Sequence, residues 1–147
     1  MKKVIFFIGL IVFVLFTKIS AYTLKNYPNP FSPSKGEKTK IEMKIDLSTE
    51  FVSYPEISIY TISGELVFKW SHYPQWNDKI YSYEYNKWIW SGENWKIYDD
   101  GFYFIWDGKN MDGKIIAPGL YVYVYSDRSG LGMRKMKRGI RKITVVK

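Results

Sequence analysis

The sequence predicts an all-β fold, an antiparallel β-sandwich, and three observations carry that prediction. Nearly every segment after residue 21 alternates apolar and polar residues with a period of two, the signature of half-buried strands. Glycine and proline punctuate these segments at short intervals, and no stretch after residue 21 has the 3.6-residue period of an amphipathic helix. An apolar fraction of 46% with 19% aromatics is far above what a disordered chain carries.

The first residues read as a leader. Met1-Lys2-Lys3 is a positive start, Val4 to Phe16 is an unbroken apolar run of 13 residues, and Thr17 to Ala21 ends on a small residue. As a helix that run reaches about 20 Å, short of the ~30 Å hydrocarbon core, so it suits a signal peptide over residues 1–21 better than a membrane anchor. Removal of Lys2, Lys3 and Lys18 leaves 19 basic and 14 acidic residues, a net charge of +5 instead of +8, in a domain of 126 residues. A domain of that size buries roughly two-thirds of its unfolded surface and needs no staples. Export also weakens the nucleic-acid reading that a basic chain invites, and an exported chain without cysteine fits a bacterial envelope protein: periplasm, outer-membrane surface or outside. No transmembrane anchor is expected in residues 22–147.

Asn26 to Pro33 (NYPNPFSP) comes next, with three prolines in six residues. An extended, donor-poor path along a sheet edge is expected, with Tyr27 and Phe31 as its anchors on the core. Thr39 to Leu47 then alternates strictly, Ile41, Met43, Ile45 and Leu47 facing in and Lys40, Glu42, Lys44 and Asp46 facing out. Glu56 to Tyr60 and Glu65 to Trp70 form a hairpin about Thr61-Ile62-Ser63-Gly64, where the glycine supplies positive φ. Gly101 to Trp106, Leu120 to Tyr125 and Gly139 to Val146 complete the strands, and Tyr121 is placed to act as a tyrosine-corner residue bonding backbone.

Between Trp70 and Gly101 lies an insertion (residues 71–101) much longer than the usual connection of ~4–6 residues. It holds four of the 6 Trp of the chain, and an extra β-hairpin is expected there. Trp76, Tyr81, Tyr83, Tyr85, Trp88, Trp90 and Trp95 are its candidate binding residues. They either pack as a satellite cluster or present flat, amphipathic area to a glycan or protein partner.

The ordered motifs Tyr27-Pro28-Asn29-Pro30-Phe31, Ile57 to Val67 (ISIYTISGELV), Trp106-Asp107-Gly108-Lys109-Asn110, Asp112-Gly113, Ala117-Pro118-Gly119-Leu120-Tyr121 and Arg141 to Lys147 are diagnostic when taken together. The region from Tyr27 to Lys147 resembles the FlgD-type immunoglobulin-like domain and the related type IX secretion system C-terminal sorting domains. The resemblance implies an immunoglobulin-like sandwich of about seven strands spanning residues 22–147, with the aromatic-rich hairpin inserted. It also implies recognition by outer-membrane export machinery. Such domains usually end a long secreted protein, whereas only about five residues separate the leader from the first motif here. Thr61 and Glu65 stand where the family usually has Asp and Arg.

Catalysis is poorly served. There is no cysteine and one histidine, His72, for which the sequence offers no evident partner, so it is expected at the surface; a multi-histidine metal centre is impossible. The 107–113 segment mimics a calcium loop, but aligning Gly113 with the loop glycine puts Gly108 and Gly119 where carboxylates are required. Turn chemistry is the better reading of its Asp and Asn residues. No metal or cofactor is expected, and no enzyme. The basic tail supplies the second candidate surface: Arg134, Lys135, Lys137, Arg138, Arg141, Lys142 and Lys147. It suits an export receptor, an envelope protein, or anionic polymer or lipid head groups. A carbohydrate-binding module using the insertion is the alternative function.

Overall fold

The structure, a computed structural model, describes residues 22–45, 54–72, 78–82, 87–98, 101–128 and 135–147. They form ten strands: β1 (Tyr22–Tyr27), β2 (Thr39–Ile45), β3 (Glu56–Thr61), β4 (Leu66–Ser71), β5 (Lys79–Ser82), β6 (Lys87–Ser91), β7 (Trp95–Tyr98), β8 (Gly101–Trp106), β9 (Gly119–Arg128) and β10 (Lys135–Val145). A 3-10 turn spans Pro33–Lys35. A six-stranded sheet, β1-β2-β8-β7-β6-β5, packs on a four-stranded one, β10-β9-β3-β4, and every strand pairing is antiparallel. A β-sandwich is therefore the fold, with ten strands where about seven were expected.

Two differences account for the larger number. Tyr22–Tyr27 pairs along β2 as a full strand, a segment the sequence left unassigned ahead of the prolines. The 71–101 region contributes three strands, and they continue the large sheet instead of standing beside it: β5 pairs with β6, β6 with β7, and β7 with β8.

The core follows the period-two pattern. Ile41 and Met43 of β2, Ile57 and Ile59 of β3, Trp95 and Ile97 of β7, and Phe102, Phe104 and Trp106 of β8 are buried, as are Tyr121, Tyr123 and Tyr125 of β9 and Ile143 and Val145 of β10. Phe68 and Trp70 of β4 lie across them, with Trp70 stacked on Phe104 at 4.9 Å and on Phe102 at 5.4 Å. The β3–β4 turn closes as expected: Gly64 has φ of 93° and donates to the Thr61 carbonyl at 3.0 Å. The Thr61 hydroxyl accepts from Glu65 N at 3.1 Å, the turn-closing role that an aspartate carboxylate plays elsewhere. Tyr121 is a tyrosine corner, its hydroxyl donating to the Ala117 carbonyl at 2.8 Å.

The proline segment caps an edge, and its Tyr27–Pro28 and Asn29–Pro30 bonds are cis. Phe31 is fully buried and bridges Val145 in parallel, donating to Thr144 O and accepting from Val146 N. The Asn29 side chain donates to Lys142 O at 3.2 Å and accepts from Thr144 N at 2.8 Å. Four main-chain groups on the outer edge of β10 are thereby satisfied, which blocks strand addition there. Tyr27 departs from the expected anchoring role. It is 42% exposed on the outer face of the large sheet, where the Lys25 and Lys40 ammonium groups lie 5.4 and 5.5 Å from its ring.

Glu42 was expected among the outward, solvated residues, yet it is buried to 7% exposure because Lys25 and Lys40 fold over it at 3.1 and 3.5 Å. Burial alone would push its carboxyl up; the Lys25 hydrogen bond and the charges of Lys40, Lys25 and Lys44 outweigh it and hold the carboxyl below its ordinary value of 4.5. A depressed folded value stabilises the fold above the unfolded value, and that stabilisation is lost as pH falls through the folded one. Denaturant midpoints measured between pH 6 and pH 3 should therefore fall, and the fall should be shallower in Glu42→Gln. Equal slopes would show that the ion pairs contribute nothing.

Tyr123 presents the opposite case. Its hydroxyl is buried with no hydrogen-bond partner among the described residues, and burial pushes its phenol well above the ordinary range, against a small opposing effect of Arg141. An unmade hydrogen bond at a buried hydroxyl costs ~1–3 kcal/mol. Tyr123→Phe keeps the ring and removes that cost, so a gain on the order of 1 kcal/mol is expected in urea unfolding. A loss would reveal a partner for the hydroxyl.

Candidate functional site

The aromatic insertion was the first candidate surface, and the geometry divides it. Trp95 of β7 is only 6% exposed and belongs to the main core, 6.1 Å from Trp70 and 4.0 Å from the His72 ring. It is consequently not part of an exposed platform. The cause is the register: Trp95 stands opposite Phe104 and Ile97 opposite Phe102, so β7 takes the sandwich-facing side of β8. Tyr81 of β5 is 38% exposed and is the one candidate of this group with an observed surface position. Trp88 and Trp90 are strand positions of β6, opposite Tyr81 and Lys79 respectively. Trp76, Tyr83 and Tyr85 lie outside the described residues.

His72 is not a plain surface histidine without a partner. Its Nε2 lies 2.9 Å from Asp78 Oδ2, both side chains are 25% exposed, and its ring stacks at the end of the Trp70–Trp95 cluster. Sequence reasoning missed the pair because six residues separate the two across a strand connection. Its arrangement is that of a clasp: it joins the end of β4 to the start of β5 over an aromatic wall.

The 107–113 segment uses its polar side chains on its own backbone. Asp107 accepts from Lys109 N at 3.2 Å, and Asn110 accepts from Asp112 N at 3.1 Å and from Lys114 N at 2.9 Å. Asp107 also pairs with the Lys109 ammonium at 3.0 Å, and Trp106 Nε1 donates to Lys109 O at 2.9 Å. These two turns hold Met111 against the edge of β4, where Met111 N donates to Val67 O and Lys69 N reaches the Met111 sulfur at 3.1 Å. Two shallow hollows of about 440 and 490 Å³ flank that contact, the first floored by Phe68, Trp70, Phe104 and Trp106 and the second by Leu66, Val67, Ile115 and Ile116.

The basic candidate surface gathers on β10. Arg141, Lys142 and Lys147 are exposed, and Arg141 Nε donates to Leu24 O at 3.2 Å, tying β10 to β1. Lys135, Lys137 and Arg138 occupy the opposite end of the same strand, and Arg134 lies outside the described residues. Among the described residues there is no group of three or more His, Asp or Glu side chains able to hold a metal ion, and no helix long and apolar enough to cross a membrane.

No protein-family model matches the chain, and no curated protein matches it. Among solved structures it is similar to dimeric latent PorU from Porphyromonas gingivalis, with a TM-score of 0.53 and 17% identity over 88% of this chain. The match spans 10% of the PorU chain. At that identity the likeness is one of fold: the same sandwich occurs as a small part of a much longer protein.

Proposed function

We propose that the protein is an exported, non-enzymatic interaction module of the bacterial envelope, recognised as a folded surface by an envelope protein or by type IX export machinery. The observation that carries this reading is the ordered motif series, which resembles that of FlgD-type and type IX sorting domains. Each motif has a structural part to play in the sandwich. Asn29 and Phe31 cap β10, Thr61 to Glu65 close the β3–β4 turn, residues 107–113 make the double turn, and Ala117 receives the Tyr121 hydroxyl. The fold likeness to one segment of PorU fits a module that elsewhere is part of a longer chain.

The side-chain chemistry favours binding over reaction, because Asp107 and Asn110 hold backbone and His72 with Asp78 clasps two strands. With the outer edge of β10 capped at Lys142, Thr144 and Val146, recognition at that end of β10 would proceed through exposed side chains and not through an added strand. Fractionation of expressing cells into periplasm, outer membrane and medium tests the reading, comparing wild type with an Arg141→Glu, Lys147→Glu double variant of unchanged melting temperature. Wild-type protein in the outer membrane or medium, with the variant retained in the periplasm, is the expected result. Cytoplasmic residence of the wild type overturns export, and an unchanged distribution of the variant overturns recognition through the basic strand. The glycan alternative loses Trp95 to the core.

A further inference from the structure

The outer face of the four-stranded sheet is where composition and position disagree. A solvated face of an antiparallel sheet is expected to be polar. Here β9 carries Leu120, Val122 and Val124 on the side opposite its buried tyrosines, and the register sets Ile140 of β10 beside Val124 and Tyr60 of β3 beside Val122. Leu66 of β4 follows beside Tyr60. Leu120 is 40%, Ile140 44% and Leu66 49% exposed, and Val122, Val124 and Tyr60 are half-buried. One apolar band thus crosses all four strands.

The charges on this face are one-sided. Lys142 stands opposite Val122, and beyond Ile140 the register continues through Lys137 opposite Ser126 and Lys135 opposite Arg128, all positions of this same face. Its one acid among the strand positions is Glu56, already paired with Lys69 at 3.3 Å. Five cationic positions therefore stand against one carboxylate. Of the two hollows described above, the first reaches this face at Lys69 and the second at Leu66, both on its β4 edge. An apolar band continued by basic strand positions matches a surface that offers negative head groups above an apolar layer.

We propose that this face docks on an anionic lipid bilayer surface, with Leu120, Val122, Val124 and Ile140 at the acyl boundary and Lys142 among the head groups. The lipid partner deepens the envelope-module reading, but vesicle binding can fail while the localisation experiment succeeds, and the reverse. The test is co-sedimentation of protein purified from cells expressing the full chain, with its N-terminus read by mass spectrometry. Vesicles of 30% phosphatidylglycerol in phosphatidylethanolamine are compared with vesicles of phosphatidylcholine alone. A retained apolar leader would raise binding to both, so the preference between the two isolates the face.

Binding to the anionic vesicles is expected to be at least tenfold stronger and to weaken steeply with salt. Lys142→Glu is expected to lose about fivefold or more, and a Leu120→Asp, Ile140→Asp double variant of retained near-ultraviolet dichroism to lose at least tenfold. Equal binding to both vesicles overturns the proposal, as does binding that neither variant alters. A soluble dimer that binds no vesicle and that Leu120→Asp dissociates also overturns it, assigning the face to a second copy of the chain.

Discussion

Trp106→Ala should cost about 3–5 kcal/mol, the usual range for removing a buried tryptophan. The indole is 1% exposed, lies 5.7 Å from Phe31 and 6.0 Å from Phe68, and donates from Nε1 to Lys109 O at 2.9 Å. Its loss therefore opens a cavity where three separate features meet: the β10 edge cap through Phe31, the small sheet's edge strand through Phe68, and the double turn through Lys109. The Lys109 carbonyl loses its indole donor as well, although its turn is exposed enough for water to replace the bond. Domains of this size have a total stability of ~5–15 kcal/mol, so the variant should sit near its unfolding transition at room temperature. Each kcal/mol moves the melting temperature by roughly 3–5 °C at this length, and a drop of about 10–20 °C is expected by scanning calorimetry. Trp106→Phe restores volume without the indole donor and should recover about half. A melting temperature for Trp106→Ala within about 2 °C of wild type would be incompatible with this packing.

Much of the fold could be read because strands with one wet face write their orientation into the sequence. Thr39 to Ile45 and Glu56 to Tyr60 alternate, and the inward residues Ile41, Met43, Ile57 and Ile59 are all fully buried. The turn at Gly64 and the corner at Tyr121 were readable for a related reason: each needs a specific residue type at a specific offset. The first strand was hidden. Tyr22 to Asn26 has the composition of a tail ahead of three prolines, and only its pairing with β2 makes it a strand. Pairing partners also explain the other misses. Glu42 reads as an outward charge, and it becomes buried because Lys25 arrives from a strand absent from the sequence reading.

The outer face of β9 could have been suspected from sequence. Leu120 to Tyr125 (LYVYVY) is apolar at every position, and a strand that is apolar on both sides is normally covered on both. By contrast, nothing in sequence distinguished a platform tryptophan from a core one in the insertion. Both patterns give aromatic residues spaced by two, and only the register of β7 against β8 decides between them.

That register leads to an expected contrast within the insertion. Trp95→Ala should destabilise by about 3–5 kcal/mol, whereas Tyr81→Ala, at a 38% exposed position, should change stability by no more than about 1 kcal/mol. Gly92 sharpens the comparison. It is itself exposed, yet a β-carbon built there would fall 2.2 Å from Trp95 Nε1 and 2.6 Å from Cε2, so the indole lies directly against the turn that follows β6. The indole cannot withdraw, because its other side meets Trp70 and the His72 ring. Gly92→Ala should therefore be costly for an exposed site, about 1–3 kcal/mol by overpacking, and that cost should largely vanish when Trp95 is already alanine. A double-mutant cycle in urea measures this coupling, which for residues in contact reaches ~0.5–3 kcal/mol. Additive effects, or a Trp95→Ala variant as stable as wild type, would mean that the indole lies outside the core and would return it to the surface of the insertion.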